Sequence, residues 1–204
     1  MELLVATTLL LIALTAVGST LVVGLGIGKR EVERPTALGE AQTGLTRMQR
    51  ELGQAYQMLF ANGTVLDVLV YLPNPGGGRR NVRLMYTCDA GSATVNGLRQ
   101  CTRYEKPVAT PPSPSDIANP GALTAGSTGT TVIDRVQNGT ASAPVFTNGS
   151  GSAASYSGVG AAPTYVGVVI KVPQKGEAAN GNKASFILSG ALYFRNLDAK
   201  TAGP

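Results

Sequence analysis

The chain begins MELLVATTLLLIALTAVGSTLVVGLGIGKR, residues 1–30, and this stretch decides the predicted fold. No charged residue lies between Glu2 and Lys29. As a helix, residues 3–27 would extend about 37 Å, which is enough to cross a hydrocarbon core of about 30 Å. A cleaved signal peptide fits less well, because no basic residue precedes the apolar run. The pattern predicts a transmembrane helix over residues 1–28.

Beyond Lys29 the apolar residues follow a helical spacing of three, four or seven positions, which is typical of one stripe along an amphipathic helix. The stripe consists of Leu38, Leu45, Met48, Leu52, Ala55 and Leu59. We therefore predict that the helix continues over residues 29–62. Pro35 is expected to kink it, and Asn62-Gly63 to end it.

After residue 62 the pattern is typical of strands, with alternating apolar positions separated by turn-forming residues. Strands are predicted over residues 65–72, 81–88, 98–105, 131–136, 164–172 and 185–196, the last two as an antiparallel pair. The Pro-, Gly- and Ser-rich stretches at about 106–130 and 141–162 bury too little apolar surface to fold alone and are predicted to be flexible loops. The Asn-x-Ser/Thr triplets are interpreted as turns; they begin at Asn62, Asn138 and Asn148.

The predicted fold class is therefore α+β: a long N-terminal helix, transmembrane and then amphipathic, packed on an antiparallel β-sheet. Residues 63–204 would form the sheet domain, on the extracytoplasmic side. Cys88 and Cys101 lie 13 positions apart with strand-like sequence on both sides. A disulfide across a hairpin fits this spacing and would contribute about 3 kcal/mol, and two unrelated buried thiols fit it as well.

Composition argues against several functions. The chain has no His, which removes the commonest general base and metal ligand, and two cysteines alone do not make a zinc site. Its 17 basic and 12 acidic residues are scattered, so no specific nucleic-acid partner is expected. No catalytic motif with a plausible partner occurs. We predict a protein that is not an enzyme, with no catalytic residues, cofactor or metal.

Two features of the N-terminal stretch point to a role. Gly24 and Gly28 have the small-xxx-small spacing that lets membrane helices approach closely, although flexibility near the membrane exit explains them equally. Glu2 is an ionisable residue at a membrane segment, which indicates either a function or a position at the interface. The basic residues Lys29 and Arg30 follow the span and favour a cytoplasmic domain, whereas the paired cysteines favour the outside.

Residues 1–19, MELLVATTLLLIALTAVGS, resemble the N-terminal segment of type IV pilins and pseudopilins. MELLVA matches the second half of the family motif F-T-L-x-E-L-L-V-A. The family's basic leader and the first motif residues are absent, so we expect the true start to lie upstream, which would reconcile the conflict over orientation. The later segments RMQRELGQA, NVRLMYTCD, GLRQCTRYE and LYFRN are similar to J-type minor pseudopilins of type II secretion and W-type minor pilins.

The resemblance implies a minor pilin or pseudopilin, a structural subunit of a type IV pilus or secretion pseudopilus that assembles through its N-terminal helix. Glu2 would be the assembly and processing residue, pairing with the N-terminal amine of a neighbouring subunit. The implied partners are other subunits, the membrane, a prepilin peptidase and an assembly platform. The implied location is the inner membrane, single-pass, and then the filament or cell surface. The alternative is a single-pass surface binding or adhesion protein that forms no filament.

Overall fold

The computed structural model of the 204-residue chain describes residues 7, 14–15, 17–19, 38–89, 98–123, 127–159, 161–173 and 185–194. Residues 38–52 form a helix, α1, and the six described positions before it are also helical. Eight strands follow: β1 Ala55–Ala61, β2 Val65–Pro73, β3 Arg79–Thr87, β4 Arg99–Pro107, β5 Thr128–Val136, β6 Phe146–Thr147, β7 Tyr165–Pro173 and β8 Ser185–Tyr193.

The strands form two antiparallel sheets. β1 to β5 make a five-stranded meander in chain order, and β6, β7 and β8 make a three-stranded sheet. The sheets are joined where β5 ends, because the Gln137 amide donates to the carbonyl of Lys171 on β7 at 2.8 Å. The side chain of Asn138 adds bonds to the same strand, donating to the Val169 carbonyl at 2.6 Å and accepting from the Lys171 amide at 2.9 Å.

α1 packs its apolar stripe against the inner faces of both sheets. Met48 and Leu52 are fully buried, and they share one core with apolar side chains of the five-stranded sheet and of β7 and β8. The approach to β8 is close: a Cβ added at Gly190 would lie 2.7 Å from Nε2 of Gln49. The helix therefore holds the two sheets together by burying apolar surface from each.

The prediction of a long N-terminal helix packed on a sheet is wrong, because the described chain is mostly antiparallel sheet and α1 ends at Leu52. Ala55–Ala61, predicted as its last turns, is β1, and it pairs with β2. The Asn62-Gly63 pair lies in the β1–β2 hairpin. Its Asn62 Oδ1 accepts from the backbone amides of Thr64 at 2.8 Å and Val65 at 2.6 Å. The signal interpreted as a helix end is a hairpin turn, which an Asn-Gly pair between apolar runs also predicts.

The predicted single-pass location in a membrane, with an extracytoplasmic domain, is corrected as well. Among the residues that the structure describes, no helix has both the length and the apolar character needed to cross a bilayer. α1 has 15 residues and would extend about 22 Å, short of the roughly 30 Å of hydrocarbon. Its outer face is polar, with Glu40 and Arg50 exposed.

Candidate functional site

The residues singled out at the N-terminus are placed only in part. Glu2, Gly24 and Gly28 lie outside the described residues. Leu14 and Val17, one helical turn apart, are described, with 61% and 58% of their surfaces exposed. Apolar side chains at this spacing lie on the same face of a helix. This pair is therefore exposed apolar surface within residues 1–19, the segment that resembles the N-terminus of pilins.

The two cysteines are joined. Cys88 directly follows β3 and Cys101 lies in β4, and a disulfide connects them. The bond extends the β3–β4 pairing by one position, since Thr87 faces Thr102 across the ladder. Both cysteines are fully buried on the core side of the sheet. The bond fixes the β3–β4 register at the end of the hairpin.

Glu51, in the last turn of α1, is the centre of a buried polar network. Its Oε2 accepts hydrogen bonds from the Tyr86 hydroxyl at 2.7 Å and from Nε of Arg103 at 2.6 Å. Its Oε1 accepts from Nε of Arg47, one helical turn earlier, at 2.9 Å. Tyr86 lies on β3 and Arg103 opposite it on β4. The carboxylate thus ties the helix to the centre of the five-stranded sheet.

The network continues along β4 to the surface. Nη1 of Arg103 lies 2.6 Å from Glu105, whose other oxygen lies 2.6 Å from Nη2 of Arg80 on β3. Positive and negative side chains alternate in this series of contacts, which runs through Arg47, Glu51, Arg103, Glu105 and Arg80. The only parts that reach solvent appreciably are the two terminal arginines, each with 37% of its side chain exposed.

The ionisation of Glu51 follows from these contacts. Burial alone raises the pKa of Glu51, but hydrogen bonds from Arg103, Tyr86 and Arg47 outweigh it and hold the pKa below its ordinary value. Burial, with the Glu51 charge beside it, raises the pKa of Tyr86, which stays a neutral donor. The carboxylate is therefore ionised at neutral pH and fully used by its donors.

A second buried ion pair lies on the opposite face of the sheet. Asp67 on β2 and Arg83 on β3 are almost fully buried, and Nη2 of Arg83 donates to Asp67 Oδ2 at 2.6 Å. Nε of Arg83 also donates to Asp67, with Oδ1 at 3.1 Å. The other guanidinium donors go to backbone carbonyls of the segment 108–123: those of Asp116 at 3.0 Å, Ala118 at 2.8 Å and Asn119 at 2.9 Å. Much of the stretch predicted as a flexible loop, about 106–130, is thus held across the sheet by one arginine.

The three Asn-x-Ser/Thr triplets serve local structure. Asn62 shapes the β1–β2 hairpin, and Asn148 Oδ1 accepts from the amides of Ser150 at 3.1 Å and Ser152 at 3.0 Å. Asn138 is 1% exposed and bonded to β7. Their amide groups are used inside the fold, as the interpretation as turns expects for Asn62 and Asn148.

The outer face of β7 and β8 is the exposed part of the three-stranded sheet. Cross-strand pairing places Tyr165 opposite Tyr193, and Lys171 opposite Ile187, on one face. Tyr193 is 65% exposed and Ile187 61%. Between these two ends the face carries small or short side chains, Gly167 with Ala191 and Val169 with Ser189. The result is a flat surface with an aromatic pair at one end.

Sequence analysis missed Glu51 and Asp67 as organising residues. Asp67 gave a signal, because it is the one charged residue in the otherwise apolar run VLDVLVYL, residues 65–72. An unpaired charge in such a buried strand would be costly. The sequence signal for Glu51 was weaker, because it lies among charged residues that are typical of the exposed face of a helix. No protein-family model, curated protein or solved structure matches the chain. A functional assignment therefore depends on the sequence pattern and on this geometry.

Proposed function

We propose that this chain is a minor pilin or pseudopilin, a structural subunit of a filament of the type IV pilin class. In this proposal the N-terminal segment that contains Glu2 contacts neighbouring subunits, and the β domain forms the outside of the filament. The proposal is not tied to secretion, adhesion, motility or DNA uptake.

The observation that carries the proposal is the exposed apolar pair Leu14 and Val17, which follows the MELLVA segment. A subunit on its own leaves such surface in water, and packing against equivalent segments would cover it. The match of MELLVA to the pilin motif supplies the second support. It gives Glu2 a partner, the N-terminal amine of a neighbour.

The architecture of the described domain is compatible with this role. α1 is anchored to the five-stranded sheet by two hydrogen bonds on Glu51, from Tyr86 and Arg103, and by its buried stripe. A force applied to the N-terminal side of the helix would pass directly into the sheet. Such a connection suits a subunit that is pulled and packed through one end.

Substitution of Glu2 tests the proposal. Glu2→Ala, made in the protein as its own host produces it, is expected to lower its amount in the sheared filament fraction by at least about tenfold. The reason is that removing one partner of a buried ion pair costs about 3–5 kcal/mol. The amount is measured by quantitative mass spectrometry of that fraction, relative to total cellular protein.

The matched control is Glu40→Ala, which removes an exposed carboxylate from α1. This variant should be incorporated normally. Equal incorporation of the Glu2 and Glu40 variants, or absence of the unsubstituted protein from every filament preparation of the host, would count against the proposal.

A further inference from the structure

A groove of about 410 Å³ lies where α1 ends beside β8. Its volume is within the range of about 300–1,000 Å³ that small-ligand sites occupy. Three elements build it: the last turn of the helix, the turn before β1 and the end of β8. The lining residues are Gln49, Arg50, Gly53, Gln54, Ala191 and Tyr193.

One wall of the groove is polar. Gln54 Nε2 donates to the Arg50 carbonyl at 3.4 Å, whereas the side chains of Gln49 and Arg50 form no hydrogen bond with the described residues. The last carbonyls of α1 already have donors: Gln49 accepts from the Gly53 amide at 3.0 Å, and Glu51 from the Gln54 amide at 3.2 Å. Within the described residues Arg50 forms no ion pair, whereas Arg47 one turn earlier is bound to Glu51. The wall therefore offers a guanidinium and the amide of Gln49 to a ligand.

The other wall is aromatic. Tyr193 is 65% exposed, and the ring of Tyr165 lies beside it with centroids 5.9 Å apart. The lining also contains Gly53 and Ala191, whose small size leaves space next to the ring. A flat ligand thus has a surface to lie on and polar groups beside it.

We propose that this groove binds a saccharide that carries a carboxylate, such as a uronic acid unit of an acidic glycan. The C–H face of a sugar ring packs on the exposed ring of Tyr193. Sugar hydroxyls are both donors and acceptors, as are the side-chain amides of Gln49 and Gln54. The carboxylate accepts two parallel hydrogen bonds from the guanidinium of Arg50, which has no competing acidic partner in the described part of the chain.

The combination favours a glycan over an acidic peptide. A peptide of glutamates would satisfy Arg50, and its backbone groups could bond to the two amides, but it would bring no flat ring face to Tyr193. A neutral sugar would use Tyr193 and the amides and leave Arg50 unused. Only a ligand with both a ring and a carboxylate uses all the groups of the site. This inference stands apart from the filament proposal, since it concerns the β domain alone.

Titration of the full chain with trigalacturonic acid tests the inference, with maltotriose and the peptide Glu-Glu-Glu in parallel. Heat of binding and the NMR shifts of the glutamine side-chain amides are recorded. Trigalacturonic acid should bind saturably and move the Gln49 and Gln54 amide signals, and its affinity should fall as salt rises. Maltotriose and the peptide should each bind at least about tenfold more weakly.

Two variants locate the site. Arg50→Gln and Tyr193→Ala should each lower the affinity for trigalacturonic acid by about tenfold or more. The matched controls Arg79→Gln and Ile187→Ala change an exposed arginine and an exposed apolar residue elsewhere, and they should bind as the parent does. Near-ultraviolet circular dichroism checks that each variant is folded. Arg50→Lys keeps the positive charge but not the paired donors of the guanidinium, and it provides a second test of the same group.

Several results would overturn the inference. These are no saturable binding of trigalacturonic acid, equal binding of maltotriose or of the peptide, and affinity unchanged by the Arg50 and Tyr193 substitutions. Loss of filament incorporation in the Glu2 variant has no bearing on these results, so the two proposals fail separately.

Discussion

Glu51 shows how much one side chain contributes when it is buried with all its partners. Both of its oxygens are occupied, by donors from the helix and from two strands. Removing one member of such a network leaves another buried charge with fewer partners, which costs more than loss of an exposed pair. Arg103 would lose one of its two carboxylate partners and keep only Glu105, which it shares with Arg80.

Glu51→Gln is therefore expected to lower the free energy of unfolding by about 3 kcal/mol. Urea denaturation at neutral pH measures the change. Glu40→Gln, which alters an exposed carboxylate on the same helix, should stay within about 0.5 kcal/mol of the parent. Equal stabilities of these two variants would show that the buried network contributes little.

The pH dependence has a definite sign. The pKa of Glu51 is lower in the folded protein than in the unfolded chain. Its ionisation therefore stabilises the fold above the unfolded pKa of about 4.3, and this stabilisation is lost as the pH falls through the folded pKa. Between pH 6 and acid conditions, the parent should consequently lose more stability than Glu51→Gln. Parallel acid-dependence curves for the two proteins would contradict this assignment.

At the level of elements, sequence reasoning located most strands but misplaced the end of the helix. Apolar runs or alternating apolar residues, bounded by turn-forming residues, were enough to locate β2, β3, β4, β7 and β8 and part of β5. β1 was missed since Ala55 and Leu59 continue the helical spacing, so the apolar pattern alone cannot separate a helix from a short strand. The two-residue β6 is too short to give a pattern.

The loop over the outer face of the sheet could not be predicted for a different reason. Segment 108–123 has little apolar surface of its own, and it is ordered by carbonyl groups that any sequence would have. The side chains that hold it come from the sheet: Arg83, which is paired with Asp67, together with Asp67 itself and Asn81. Because every residue has a backbone carbonyl, such contacts cannot be predicted from the amino-acid composition of the loop.

Asp67→Asn should loosen this loop, since it removes the charge that fixes Arg83 and weakens the acceptor of the Gly121 amide, now bonded to Asp67 Oδ2 at 2.8 Å. Hydrogen exchange at the Gly121 amide should accelerate by at least about tenfold, because its charge-assisted hydrogen bond is weakened. The Gly77 amide in the β2–β3 turn, bonded to Asn74, serves as the control and should not change. An unchanged rate at Gly121 would show that the loop is held by other contacts.

At the scale of the molecule, α1 and the two sheets share a single core in the part of the chain that the structure describes, and the disulfide lies within it. The disulfide closes a segment of 13 positions between β3 and β4, and in the chain-entropy model closure of this size contributes about 3 kcal/mol. The two sheets are kept together by α1, by the bond from the Gln137 amide to Lys171 and by Asn138.

The double substitution Cys88→Ser with Cys101→Ser should accordingly lower the free energy of unfolding by about 3 kcal/mol and leave the sheets intact. Urea denaturation gives the first quantity and far-ultraviolet circular dichroism the second. The parent in reducing agent, once its bond is open, is the matched comparison and should behave like the variant. A variant as stable as the oxidised parent would show that the bond does not stabilise the fold.

The central claim is that the N-terminal segment packs against other subunits, and site-specific cross-linking from position 14 tests it most directly. Because the two cysteines of the chain are bonded to each other, Leu14→Cys provides one reactive thiol for a maleimide-linked photo-crosslinker. Gly76→Cys, in the exposed turn between β2 and β3, is the control. The account predicts that position 14 gives light-dependent products in the filament fraction that contain this chain joined to a neighbouring pilin-class subunit, and that position 76 gives few. Only monomer from position 14, or the same products from both positions, would contradict it.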